Sequence, residues 1–98
     1  MSLPIHLRPE AVHDIEEICE YLESQLAGLS QTFLLRLREK LDRIRLRPET
    51  YGQVWKNVRA TTVKNFRYVL YFRTHADKIE VLAVIHGHRH PSAWKKRI

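Results

Sequence analysis

Cysteine occurs once, at Cys19, so the chain can close no disulfide within itself. Cys19 falls among the apolar positions of an expected helix, where a free thiol acts as a small hydrophobe. That usage fits a reducing compartment, and the cytoplasm is the expected location. No apolar run reaches the ~18–20 residues that a membrane span requires. The opening Met1-Ser2-Leu3-Pro4-Ile5-His6 lacks a charged stretch followed by an apolar one, so no signal peptide is expected. There is no Gly-rich phosphate loop, and Ser24, Ser30 and Ser92 lack a Gly-x-Ser-x-Gly setting, so a recognisable nucleophile is missing. Acids are scarce in one half. From Tyr51 onward ten Lys and Arg residues face only Asp77 and Glu80, whereas Glu10, Asp14, Glu16, Glu17, Glu20 and Glu23 crowd one early segment. A basic half-domain attracts polyanions or an acidic protein partner, and it also keeps a chain of net charge +6 in solution.

The 98 residues suffice for one domain, and a 44% hydrophobic content supports a modest core rather than disorder. Leu3, Ile5 and Leu7 alternate with Pro4 and His6, which predicts a short strand with Pro4 at its start or open edge. Pro9 and Glu10 suit the first turn of a helix. Val12, Ile15, Ile18, Cys19 and Leu22 then recur at helical spacing, and Gly28 is a natural stop. Ser30 is expected to cap a second helix with Phe33, Leu34, Leu37, Leu41 and Ile44 as its stripe, ended by Pro48 after about Leu46. The short connection predicts an antiparallel helical hairpin.

Residues Glu49 to Lys56 read as turn-like around Gly52. Strands are expected over Val58 to Val63, Phe66 to Arg73 and Ile79 to His86, with Thr74 to Lys78 as a hairpin loop. The last of these strands is apolar on both faces and reads as central, covered on two sides. Ser92 is expected to cap a short final helix holding Trp94. The fold class is therefore α+β, a two-helix hairpin packed on a small, mostly antiparallel sheet in the order β-αα-βββ-(α).

Three groups of residues could carry function. His86, His88 and His90 alternate around Gly87 and Arg89, but neither a cysteine nor a carboxylate stands nearby in sequence to complete a tetrahedral metal site. The same histidines with Arg89 and Arg67 have the side-chain types for acid–base cleavage of RNA at a scissile phosphate. Trp55, Tyr71 and Trp94 stand among Lys56, Arg59, Arg73, Lys95 and Arg97 as candidate exposed aromatics, for nucleic acid or for a protein partner; core packing competes for some of these positions. The acids of Glu10 to Glu23 read as the solvated face of the first helix.

Taken in order, these segments resemble the ParE/RelE toxin superfamily over nearly the whole chain. Ala11-Val12-His13-Asp14-Ile15-Glu16-Glu17-Ile18-Cys19-Glu20-Tyr21-Leu22 resembles the family's Ala-x-x-Asp-Leu-x-x-Ile-x-x-Tyr-Ile helix. Phe33 and Leu37 with Pro48 suit its second helix. Phe66-Arg67-Tyr68-Val69-Leu70-Tyr71-Phe72-Arg73 is similar to its Phe-Pro-Tyr-Val-Val-Tyr-Tyr-Arg strand. The stretch Val81 to Pro91 is similar to Val-Leu-x-Val-x-His-Gly-x-Arg-(Asp)-Pro, with Trp94 and Arg97 like the Trp-x-x-Arg that often follows.

The resemblance implies a RelE-like fold and a toxin neutralised by a cognate antitoxin in a hetero-oligomer, without cofactor or metal. RelE-like members cut mRNA in the ribosomal A site; ParE-like members poison DNA gyrase. In the RNA-cleaving branch the central strand carries a catalytic arginine, and the matching position here is Tyr68, with Arg67 one residue earlier and so on the opposite face. The tail of that branch offers Tyr or His, where this chain has Trp94, whose indole only donates. Arg89 does match a basic position of the RNA cleavers. Arg67 and His90 depart from the Pro and Asp common at those positions in ParE-like chains. The resemblance thus favours a gyrase inhibitor with no catalytic chemistry of its own, contacting its target through Arg89, Trp94, Lys95 and Arg97, with Lys96 as a lesser addition. The alternatives are a ribosome-dependent ribonuclease using Arg89, His86, His88 and His90, and a non-toxic homologue that only binds a partner or nucleic acid.

Overall fold

The computed structural model describes residues 2–89 and 91–98. Strand β1 (Ile5–Leu7) leads into helix α1 (Pro9–Gln25), with Pro9 at the helix start. Helix α2 (Leu29–Leu46) returns antiparallel after a turn of three residues, and a short 3-10 turn at Pro48–Thr50 follows. Four strands complete the sheet, β2 (Gln53–Trp55), β3 (Val58–Thr62), β4 (Tyr68–Thr74) and β5 (Ile79–His86), and helix α3 (Ser92–Lys95) closes the chain. The sheet order is β1-β5-β4-β3-β2, antiparallel except where β1 runs parallel to β5.

Three local expectations are corrected. Gln53–Trp55, read as turn-like, is an edge strand against β3, too short to show a period of two. Strand β4 begins at Tyr68 rather than Phe66, because Asn65 takes a left-handed conformation at φ 69° and turns the chain there. Ser30 does not cap α2. Gly28 takes that place at φ 89°, where glycine carries no penalty. The free N–H groups instead meet Glu23 of α1, which accepts from Gly28 N at 2.9 Å and Ser30 N at 3.3 Å, while the Ser30 hydroxyl donates to it at 2.6 Å. These bonds hold the Glu23 carboxyl below the ordinary glutamate pKa.

The hairpin packs on one sheet face. Ala11, Ile18, Leu22, Phe33, Leu37 and Ile44 meet Leu70, Phe72, Val81 and Val84, all buried. Phe33 anchors this layer, edge-on to Phe66 at 5.3 Å and to Tyr68 at 5.5 Å. A second, smaller cluster of Val58, Leu82, Ala83, Ile85, Ala93 and Trp94 lies on the opposite face, beneath α3. Strand β5 is buried on both faces because it contributes to each cluster.

That double burial depends on a bulge. Tyr71 pairs with Ala83 but Phe72 pairs with Val81, so Leu82 is an extra residue in β5. Val81 and Val84 therefore share the hairpin face, although they stand an odd three positions apart.

On the outer face, Glu80 ties β5 to its neighbours. Its carboxylate accepts from Arg73 Nε at 2.9 Å, meets His75 Nε2 at 2.8 Å and lies 3.7 Å from Arg8. Burial pushes this carboxyl up, but the bonds from His75 and Arg73 outweigh it and hold the pKa below its usual 4.5. A carboxyl that titrates lower when folded stabilises the fold fully above its unfolded pKa and loses that contribution as pH falls. Between about pH 5 and pH 3 the urea midpoint should fall more steeply for the native chain than for Glu80→Gln. Parallel pH profiles would remove Glu80 from this role.

Candidate target-binding surface

Asp14 lies three residues after Ala11 and four before Ile18, on the buried stripe of α1 rather than on the solvated face expected for it. It is 6% exposed. Strand β1 ends opposite Val81, so the adjoining edge of β5 runs on without a strand partner. Side chains take over there. Asp14 Oδ2 accepts from Val84 N at 3.0 Å, and Arg97 donates to Leu82 O at 3.1 Å. Arg97 and Asp14 also form a bidentate pair, Nη1 to Oδ2 at 2.7 Å and Nη2 to Oδ1 at 3.1 Å. The bond to Asp14 raises the Arg97 pKa above its ordinary value, so the guanidinium stays charged. One ion pair thus fastens α1, the bulge of β5 and the tail.

The tail is fastened a second time by aromatic rings. Trp94 is 3% exposed and stacks on Tyr71, with centroids 4.6 Å apart and planes 23° apart. Trp55 meets Trp94 edge-on at 5.9 Å. The expectation of an exposed Trp94 is thereby corrected. Its indole fills the second core cluster because the outer face of β5 is apolar and needs cover. Trp55 and Tyr71 are half-buried around it.

Of the four expected contact residues, the structure leaves Arg89 exposed and Lys95 half-buried, while Trp94 and Arg97 are committed to the fold. Lys96 is also exposed.

The histidines sit at the other end of β5. His88 N donates to His86 Nδ1 at 3.1 Å, and the two rings stack at 5.0 Å. An acceptor Nδ1 places the proton of the neutral His86 ring on Nε2. His86 is edge-on to Tyr68 at 5.8 Å, and burial pushes the Tyr68 phenol up in pKa. His90 lies outside the described residues. Among the described residues, no three His, Cys, Asp or Glu side chains gather as a metal site.

His86 and Tyr68 form one wall of a cleft of about 690 Å³ between the hairpin and the end of the sheet. Leu22, Leu29 and Phe66 supply apolar lining, and Arg36 and Arg67 supply positive charge. A smaller recess of about 200 Å³ joins Tyr21, Tyr68 and His86 to Arg89. Such a surface can hold an amphipathic, acidic segment of another protein.

Sequence reasoning missed Asp14 and the structural role of Arg97. The helical phase of Asp14 with Ala11 and Ile18 is the signal that could have found the first. Nothing local could have found the second, since its partner lies 83 residues away.

Among the described residues, no helix is long and apolar enough to cross a membrane. No curated protein matches the chain. Among solved structures, a chain of a chromosomal ParDE TA system from P. aeruginosa aligns with a TM-score of 0.77 over 87% of this chain and 96% of that one. At 12% sequence identity that likeness is one of fold. A family model described as the ParE toxin of the type II toxin–antitoxin system parDE matches residues 5–91. That match spans most of the chain, both helices of the hairpin and all five strands, and this protein belongs to the ParE toxin family of type II toxin–antitoxin systems.

Proposed function

We propose that this protein is a cytoplasmic toxin that inhibits DNA gyrase by protein contact and is neutralised by a cognate antitoxin. Family membership carries the reading, and the geometry around Tyr68 supports the choice of target. Tyr68 occupies the position of the strand arginine in RNA-cleaving relatives. It is packed against Phe33 and His86, and a neutral phenol with a raised pKa supplies no cation for a phosphate. Trp94 stands where those relatives offer Tyr or His, and it is buried. The side chains offered to a target are Arg89 and Lys95, with Lys96 beside them, while Trp94 and Arg97 act from beneath as their frame. The antitoxin is assigned to the cleft bordered by Arg36 and Arg67, where an acidic segment finds charge and apolar surface together.

Induction from a tight promoter in bacteria, with pulse labelling of DNA and protein synthesis, tests the target. DNA synthesis should stop first, cells should filament, and purified protein should inhibit supercoiling by gyrase. Arg89→Ala combined with Lys95→Ala should weaken that inhibition about tenfold or more while leaving the melting temperature unchanged. Early arrest of protein synthesis with mRNA cut at ribosome-bound codons would sink the gyrase reading and move attention to Arg89, His86, His88 and His90. Normal growth would mark a partner-binding homologue.

A further inference from the structure

On the sheet face away from the hairpin, two ammonium groups converge on one indole. Lys56 Nζ lies 4.5 Å and Lys95 Nζ 5.0 Å from the centroid of the Trp55 ring, and Lys95 Nζ is also 5.7 Å from that of Trp94. The two lysines come from different elements, Lys56 from the β2–β3 turn at φ 50° and Lys95 from α3. Among the described residues, neither has a carboxylate within ion-pair distance. Two like charges over one ring repel each other. The ring quadrupole offsets part of that repulsion, and an incoming anion would offset more. The base beneath them is fixed, since Trp94 is buried against Tyr71 and Arg97 bolts the tail to Asp14.

The geometry points to a docking site at Lys56, Lys95 and Trp55 for a pair of carboxylates on an acidic segment of a partner protein. Nucleic acid fits less well. Trp94 is buried and stacked on Tyr71, and two ammonium groups already lie over the half-buried Trp55 ring, which leaves a base little ring surface to stack on. The neighbouring guanidinium groups are also occupied, Arg59 with Tyr51 O and Arg97 with Asp14, so no free fork faces a phosphate. Point-like ammonium groups suit single carboxylate oxygens instead. The site goes beyond the gyrase reading and does not require it, because its test reads binding and not toxicity.

The full-length protein would be titrated in low salt against a fluorescein-labelled peptide of ten glutamates, and against an oligothymidine of equal length and label, by anisotropy. The peptide should bind more tightly than the oligothymidine. Lys56→Gln with Lys95→Gln should weaken peptide binding about tenfold. Lys64→Gln with Lys78→Gln, which removes the same charge elsewhere, should change it less than about twofold. Circular dichroism would show all variants folded alike. Equal losses in the two double variants would overturn the site in favour of the diffuse field, as would no peptide binding at all. Preference for the oligothymidine would make it a nucleic-acid surface. Lysine-dependent self-association in sedimentation would assign the acidic α1 of a second copy as occupant instead.

Discussion

Replacing Asp14 with alanine should cost about 3–5 kcal/mol of folding free energy, read from urea denaturation. That is a large share of the roughly 5–15 kcal/mol by which a domain of this size is stable. Two losses combine. The Arg97 side chain, 15% exposed, is left without its bidentate partner, and Val84 N–H is left without an acceptor beside the bulge. Asp14→Asn separates the two, because it keeps an acceptor for Val84 and removes only the charge; its cost should be about half as large. Arg97→Ala should be comparable to Asp14→Ala, since it strands a carboxylate that is only 6% exposed and releases Leu82 O. The double variant should be less destabilised than the two single costs added together, because each single change leaves the other charge unpaired. An Asp14→Ala protein within about 1 kcal/mol of the native one would show that the pair does not hold the fold.

Trp94→Ala should be of similar size, about 3–5 kcal/mol, for a different reason. The indole is 3% exposed and fills the space under α3 among Val58, Leu82, Ala83 and Ile85. Its removal opens a cavity and ends the stack with Tyr71 and the edge contact with Trp55. Trp94→Phe keeps a ring and should recover more than half of the loss. The two changes also make a functional distinction. If Trp94 contacts a target directly, Trp94→Phe should reduce the proposed inhibition of gyrase while stability is nearly kept. If it acts from beneath, inhibition should follow the fraction of folded protein in both variants. Amide exchange in α3 should rise strongly in Trp94→Ala and little in Trp94→Phe.

The helical hairpin and strand β4 were legible because each places an apolar stripe between the hairpin and the sheet, so period and burial agree, and β5 was legible as an apolar run covered on both faces. Ile15, Ile18 and Leu22 mark α1, and Leu70 and Phe72 mark β4, with no reference to the rest of the chain. Edge strand β2 was not legible, since three partly exposed residues pairing on one side carry no burial pattern. The cap of α2 was misassigned for a related reason. Ser30 has the chemistry of a cap, but Glu23 reaches the same N–H groups from the preceding helix. Among the expected contact residues, Arg89 and Lys95 could be placed by type alone because exposed cations keep their charge outward. Trp94 and Arg97 could not, because an aromatic or a guanidinium serves equally well at a surface and in a paired, buried setting.

The sequence by itself determined the element order apart from edge strand β2, the hairpin, the buried central strand and the resemblance to a toxin family. Each of these rests on residues close together in the chain or on their order along it. The tertiary structure alone decided that Asp14 is a buried anchor and Arg97 its partner, that Trp94 is core, and that Lys56 and Lys95 share one indole. Those facts join residues tens of positions apart, across a bulge that shifts the facing of β5 by one residue. Local periodicity carries no record of such a shift, and only packing the elements together fixes which side chains meet.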